Sequence, residues 1–251
     1  MSKNKNNKKQ KLEPQKDLSP KVPQNSKIKN ELQITERELN EKQKQFLEIA
    51  LDKNTKMIFI SGPAGTSKTF LAVLASLRLL NQRKMSDIIY IRSAVESSDA
   101  KLGYLPGEAA DKLAPYMQPL LDKLGEFLNR ADIDYLAKEG RIDSIPIGFL
   151  RGLSWNAKCI IADEAQNCTQ KELTTLITRT GEFSKVFILG DPDQSDIGLK
   201  SGFSKLFNTF DDEESRKNGI FTFKFTDDDI VRSGLVKFII KKLKSATIPQ
   251  I

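Results

Sequence analysis

Residues 57–69, MIFISGPAGTSKT, constrain the fold more than any other stretch. Met57 to Ile60 is a short apolar run that reads as a strand buried on both faces. Small residues and one proline between Ser61 and Ser67 force a sharp turn, and Lys68 and Thr69 then open FLAVLASLRLL, whose apolar spacing is helical. A strand, a glycine-bearing loop and a helix beginning with Lys-Thr form a phosphate cradle. Backbone N–H groups of small residues turn toward an anion, and the positive end of the helix adds to them. Gly62, Pro63, Ala64, Gly65, Thr66 and Ser67 would form that cradle. Lys68 would reach the outer phosphates, and Thr69 would offer its hydroxyl to Mg²⁺. One residue departs from the full pattern G-x-x-x-x-G-K-[ST]: Ser67 stands at the second glycine. A Cβ there is expected to strain the loop or narrow the nest. Read alone, the stretch could be a strand-to-helix turn without a ligand; Lys-Thr at the helix start favours the cradle.

Two further strand ends carry polar groups that suit the same chemistry. The apolar run from Lys158 to Ala162 ends in Asp163 and Glu164. Beside a phosphate loop, Asp163 would hold Mg²⁺ and Glu164 would orient or deprotonate an attacking water. Adjacent positions serve these roles because one faces the metal and the next the nucleophile. Ser184 to Leu189 ends in Gly190-Asp191-Pro192-Asp193-Gln194, where Gln194 can touch the outermost phosphate. Phosphoryl transfer also needs positive charge at that phosphate. Arg179, Arg151 and Arg232 are the candidates, each of which also reads as a surface or structural arginine.

Strand patterns at 57–60, 87–92, 158–162, 184–189 and 220–225, with a short strand and a turn within 142–153, alternate with helical ones. This predicts an α/β fold, a parallel sheet flanked by helices with right-handed crossovers, in one core domain over residues 31–251. Residues 38–52 form an amphipathic helix that Asn40 can cap. Residues 93–107 form a polar loop at a strand's carboxyl end, so Arg92, Ser93 and Lys101 could meet a nucleotide or a nucleic-acid backbone. Residues 108–139 read as a helical insertion broken at Pro115 and Pro119. Residues 227–244 read as a final helix with Asp227 to Asp229 at its positive end.

Charge separates a tail from this domain. Residues 1–30 hold nine of the 40 basic and two of the 33 acidic side chains, so the tail's +7 equals the whole net charge. With almost no apolar content it is expected to be disordered. It reads equally as a solubilising tail and as a non-specific tether to a phosphate backbone. The chain has two cysteines and no histidine. That excludes a disulfide framework, a Cys/His zinc site and histidine-based nucleophilic catalysis, and it suits reduced core thiols in a cytoplasmic protein. No apolar run approaches a membrane span, and the lysine-rich start lacks the apolar core of a signal peptide.

The motifs in order resemble those of the PhoH-like family of phosphate-starvation-inducible ATPases, itself similar to the first RecA-like domain of superfamily 1 helicases. The matching stretches are GPAGTSKT (62–69), IIYIRSAVE (88–96), LGYLPGEAADKLAPYMQPLLDKL (102–124), PIGFLRG (146–152), IIADEAQNCT (160–169), LITRTG (176–181), GDPDQSDI (190–197) and DIVRSGL (229–235). The resemblance implies a RecA-like P-loop NTPase that binds and hydrolyses ATP with Mg²⁺. The 62–69 loop and the Asp163-Glu164 pair stand at its Walker A and Walker B motifs. It also implies a link to RNA or single-stranded nucleic acid, and a homo-oligomer, a ring among the options. In helicase-like ATPases a glutamine placed like Gln43 reads the adenine edge, since its amide both donates and accepts; alone, an exposed helix glutamine is the plainer reading, but beside the phosphate loop the adenine-reading role comes ahead. Helicases of this kind place ATP between two RecA-like domains, and this chain has room for one. A neighbouring subunit is therefore expected to complete the site, with Arg232 or Arg179 as donor. The lysine tail and the lack of an appended nuclease domain resemble the short versions encoded by bacteriophages, whose cytoplasm would be the host's. Three functions follow: an ATPase coupled to RNA or DNA, a nucleotide-binding switch with little turnover, and a small-molecule kinase. Asp-Glu-Ala-Gln and Gly-Asp-x-x-Gln argue against the kinase, which needs an acceptor pocket instead of a water-orienting Glu164.

Overall fold

The structure is a computed structural model that describes residues 28–93 and 109–231, with helical residues at 234–235, 238–239 and 242. Six strands, β1 (Met57–Ser61), β2 (Asp87–Arg92), β3 (Ile142–Pro146), β4 (Lys158–Asp163), β5 (Lys185–Gly190) and β6 (Ile220–Lys224), form one parallel sheet in the order β3-β2-β4-β5-β1-β6. Helix α1 (Glu41–Leu51) precedes β1, and α2 (Lys68–Asn81), α3 (Ala109–Leu124), α4 (Arg130–Lys138), α5 (Gln170–Ile177), α6 (Phe203–Thr209) and α7 (Glu213–Lys217) lie in the connections between strands. The parallel α/β sheet flanked by helices is the predicted class.

The strands read as continuous apolar runs because both faces are covered, and within them the two-residue period sorts side chains into two cores. Ile58, Ile60, Tyr90, Ile161, Phe187 and Leu189 face α1, α2 and α3. Phe59, Ile91, Ile160, Val186 and Ile188 face α5 and α6. Each fully buried aliphatic of this kind contributes roughly 1.5–3 kcal/mol. No helix among the described residues is long and apolar enough to cross a membrane.

Two expectations fail here. The segment 108–139 is not broken at its prolines, because α3 runs unbroken from Ala109 to Leu124 through Pro115 and Pro119. Its Leu120 and Leu124 are fully buried in the α1/α2 core, and Ser144 Oγ donates to Tyr116 O (2.8 Å). Tertiary burial outweighs the roughly 3 kcal/mol that an interior proline costs an isolated helix. Residues 227–244 are also not one helix. Asp227–Asp229 is a short 3-10 turn, closed by a reciprocal cap in which Asp229 accepts from Thr226 N–H (2.7 Å) and Oγ1 (3.0 Å). Ile230 is then extended, and Val231 N–H donates to Gly65 O (2.9 Å), which fastens the chain to the loop after β1. The tail through residue 27, Lys101 with most of its loop, and Arg232 lie outside the described residues.

Candidate functional site

The strands β4, β5 and β1 are neighbours, and their register aligns their carboxyl ends: Ser61 stands opposite Gly190, while Arg92 of β2 stands opposite Asp163. All three polar motifs thus open into one cleft of about 600 Å³. This is where open parallel sheets present their ligands.

The loop after β1 is built by close contacts. Gly62 lacks a Cβ at a point where one would lie 2.7 Å from Phe225 Cβ, and its N–H donates to Gly190 O (3.2 Å). Thr66, fully buried, donates to Pro63 O (2.8 Å), and Ala64 N–H donates to Asp191 Oδ2 (3.0 Å). Lys68 Nζ donates to Gly62 O (2.7 Å) and Pro63 O (3.0 Å), so its ammonium spans the loop. Burial lowers the Lys68 pKa, against the pull of Asp191, Asp163 and Glu164. Gly65 and Ser67 both adopt left-handed backbone, with φ of 85° and 67°. The Cβ of Ser67 is therefore strained as expected, and its hydroxyl makes no capping bond to α2.

The carboxylates are held with equal definition. Asp163 Oδ2 accepts from Thr69 Oγ1 (2.9 Å) and Tyr90 Oη (2.7 Å), and Oδ1 accepts from Glu164 N–H (3.0 Å). Burial, with Asp163 beside it, raises the Tyr90 pKa and keeps it a donor. Glu164 sits at φ 54°, Gln166 Nε2 donates to its Oε2 (2.6 Å), and Arg92 lies 4.0 Å from Oε1. Gln166 also accepts from Asp191 N–H (3.0 Å) through Oε1, so one buried side chain ties the ends of β4 and β5 together. Asp191 is buried, which raises its pKa against the pull of Lys68.

The predicted residues divide cleanly. Gly65, Ala64, Ser67, Lys68, Thr69, Asp163, Glu164, Gln194 and Gln43 all line the cleft. Gln194 is exposed on the Pro192–Gln194 turn. Gln43 is buried, and its Oε1 accepts from Asn40 N–H (3.0 Å) in a capping box, so its acceptor serves α1. Arg179 is elsewhere: its carbonyl accepts from Trp155 N–H, just before β4 begins. Six residues of β4 separate that edge from Asp163, roughly 15–20 Å. Arg179 therefore cannot reach the cleft of its own subunit. Arg151 is exposed in the turn beyond β3. Arg232 follows Val231, which lines the cleft.

Sequence reasoning missed Gln166, Asp191 and Tyr90, and also a second wall. Arg37 lies over the Phe70 ring (5.8 Å) and 3.7 Å from Glu126, and these three line the cleft beside Gln43. Gln166 had a signal in its place two residues after Glu164, and Asp191 in its place within the Gly190-Asp191-Pro192-Asp193-Gln194 strand end. The wall is assembled from three distant segments, which no local pattern reveals.

The oxygens gathered at Asp163, Thr69 and Glu164 are hard donors that fit Mg²⁺. Among the described residues no cluster of three or more Asp, Glu, Cys or His side chains can hold a metal by itself. A parallel sheet with a phosphate-type loop, an Asp-Glu strand end with Asp163 buried, and an adjacent cleft defines the class, a P-loop NTPase fold.

Comparison with known proteins gives the family. The profile described as PhoH-like protein matches residues 35–244, so the chain belongs to the PhoH family. It is 36% identical over 200 residues to a PhoH-like protein of Mycobacterium tuberculosis, covering 79% of this chain and 55% of that one. It is 36% identical over 197 residues to a PhoH-like protein of Bacillus subtilis, covering 77% of this chain and 60% of that one. Protein PhoH of Escherichia coli is 32% identical over 200 residues, 78% of this chain and 54% of that one. The chain thus spans a little over half the length of these curated relatives. Membership in this family implies nucleotide binding.

Proposed function

We propose that the chain hydrolyses ATP with Mg²⁺ and couples the nucleotide state to RNA or single-stranded DNA. One observation carries the reading: Asp163 Oδ2 is shared by Thr69 and Tyr90, while Glu164, the next residue, is held by Gln166 beside Lys68. Bound there, Mg²⁺ would draw charge from the phosphate oxygens. Thr69 and Asp163 would hold it. Lys68, already aimed along the loop, exchanges its carbonyl partners for phosphate oxygens. Glu164 takes a proton from water at Oε1, the oxygen that faces Arg92, and Gln166 on Oε2 keeps that carboxylate from turning away. Arginine supplied by a neighbouring subunit completes the charge at the outermost phosphate, and this calls for a homo-oligomer.

A second reading, a nucleotide-binding switch with little turnover, is favoured by the strained Ser67 and by Lys68 locked on two loop carbonyls. Phosphate release, measured with and without single-stranded RNA and DNA, separates the two. Hydrolysis requires release that Glu164→Gln and Lys68→Ala cut by roughly 10²-fold or more. Nucleotide binding without release in any condition leaves the switch.

A further inference from the structure

A second cavity, about 1050 Å³, opens at the opposite edge of the sheet, where β1, β5 and β6 begin. Lys53, Lys56, Arg83, Lys84 and Lys185 line it, against one carboxylate, Glu182. In a domain whose charges otherwise cancel, this is a local excess of cations. Helix carboxyl ends favour nearby cations, and Lys185 is explained that way: its Nζ donates to Ala50 O (2.5 Å) and Asp52 O (2.7 Å) at the end of α1. The other four are exposed and form no ion pair or side-chain hydrogen bond among the described residues, so their charge is surplus to the fold.

The floor is apolar, built from Met57, Leu79, Met85 and Ile220, with Phe183 on the wall. Two buried hydroxyls in the lining, Thr55 Oγ1 and Thr180 Oγ1, have no hydrogen-bond partner, and Thr55 is 2% exposed. Strain gathers here as well. Five non-glycine residues among those described have positive φ: Ser67 and Glu164 in the nucleotide cleft, and Arg83, Ala157 and Phe183 at this edge. Arg83 closes the end of α2, its N–H donating to Leu80 O and that of Lys84 to Leu79 O, where glycine is the usual residue. Left-handed backbone is strained for an L-residue. Such strain persists only where the surrounding structure holds it, and it gathers at ligand sites.

We propose that this cavity is a second ligand site, for a phosphate-bearing nucleotide unit whose base lies on the apolar floor against Phe183 and whose phosphate meets Lys53, Lys56, Arg83 and Lys84. Cations around an apolar bed suit a ligand with one flat apolar part and one anionic part, and basic grooves with an aromatic platform bind single strands on this principle. The unit comes either from a strand or from a free nucleotide. The site does not depend on hydrolysis at the cleft.

The test uses full-length chain carrying Lys68→Ala, which weakens the cleft. The probes are a fluorescein-labelled oligouridylate of about twelve nucleotides, within the site size of such grooves, and methylanthraniloyl-ADP. Adding Lys56→Glu with Lys84→Glu should weaken the oligonucleotide roughly tenfold and flatten its salt dependence by about 1.4, near 0.7 per phosphate contact. Phe183→Gly should weaken it while leaving the unfolding midpoint unchanged or higher, since it removes strain. 4-Thiouridine crosslinks should fall at residues 53–57, 83–85 or 180–185. Loss of the oligonucleotide alone assigns a strand; loss of ADP as well assigns a free nucleotide. Unchanged affinity of both probes in the Lys56→Glu/Lys84→Glu chain, or crosslinks confined to residues 1–27 and the cleft, would overturn the site.

Discussion

Ser67 occupies a left-handed turn without using its hydroxyl, so glycine there loses no contact. Relief of the strain is worth about 1 kcal/mol, and the extra freedom of glycine in the unfolded chain returns part of it. Ser67→Gly is therefore expected to stabilise the chain by roughly 0.5 kcal/mol, read as a higher urea midpoint at unchanged slope. If the nest is narrowed by the Cβ, phosphate release rises in the same variant. Lys185 makes the opposite case, a charge buried at a cost. Burial lowers its pKa to about 8 from an ordinary 10.5, although Asp52 lies nearby. Between those values the unfolded chain binds more protons than the folded one, so this lysine's contribution to stability rises with pH across that window. The full gain is on the order of 3 kcal/mol at about 1.36 per unit. Urea denaturation at intervals from pH 7.5 to 10 should show wild type gaining on Lys185→Met as pH rises. A flat difference would mean that the amine is solvated.

At the scale of elements, the strands were legible because a strand covered on both faces must read as an apolar run, and each run ended in its polar motif. Their lateral order was not, since β4 and β5 enter between β2 and β1 through contacts distant in the chain. The helix through Pro115 and Pro119 was misread for the same reason: the burial of Leu120 and Leu124 that overrides proline is tertiary. The site split along this line. Lys68, Thr69, Asp163 and Glu164 sit in local strand-end patterns; Tyr90 reaches Asp163, and Arg37 the cleft, only through folding. Gly190 shows how tightly one such end is set. A Cβ on it would lie 2.7 Å from the ring of Phe203, which is fully buried and cannot swing away. Gly190→Ala should cost roughly 1–3 kcal/mol by overpacking, measured by urea denaturation. Phe203→Leu in the same chain should return part of that loss. No recovery would point to backbone strain instead.

For the whole molecule, the proposed hydrolysis turns on which arginine would complete the charge at the outermost phosphate. Arg179 lies at the far edge of its own sheet and can act only across a subunit boundary. Arg232 lies outside the described residues, and the residue before it, Val231, is bonded to the phosphate loop. Mixing two inactive variants separates action within a subunit from action across a boundary. A Lys68→Ala subunit keeps its arginines, and an Arg232→Ala or Arg179→Ala subunit keeps its loop. If the arginine crosses a head-to-tail interface, random mixing restores about a quarter of the sites, because each interface pairs one subunit's loop with the other's arginine. Phosphate release should then return in the mixture though neither variant has it alone. If Arg232 acts within its own chain, its mixture stays inactive at every ratio. If Arg179→Ala alone retains full release, that arginine is structural, and its place beside Trp155 is its whole role.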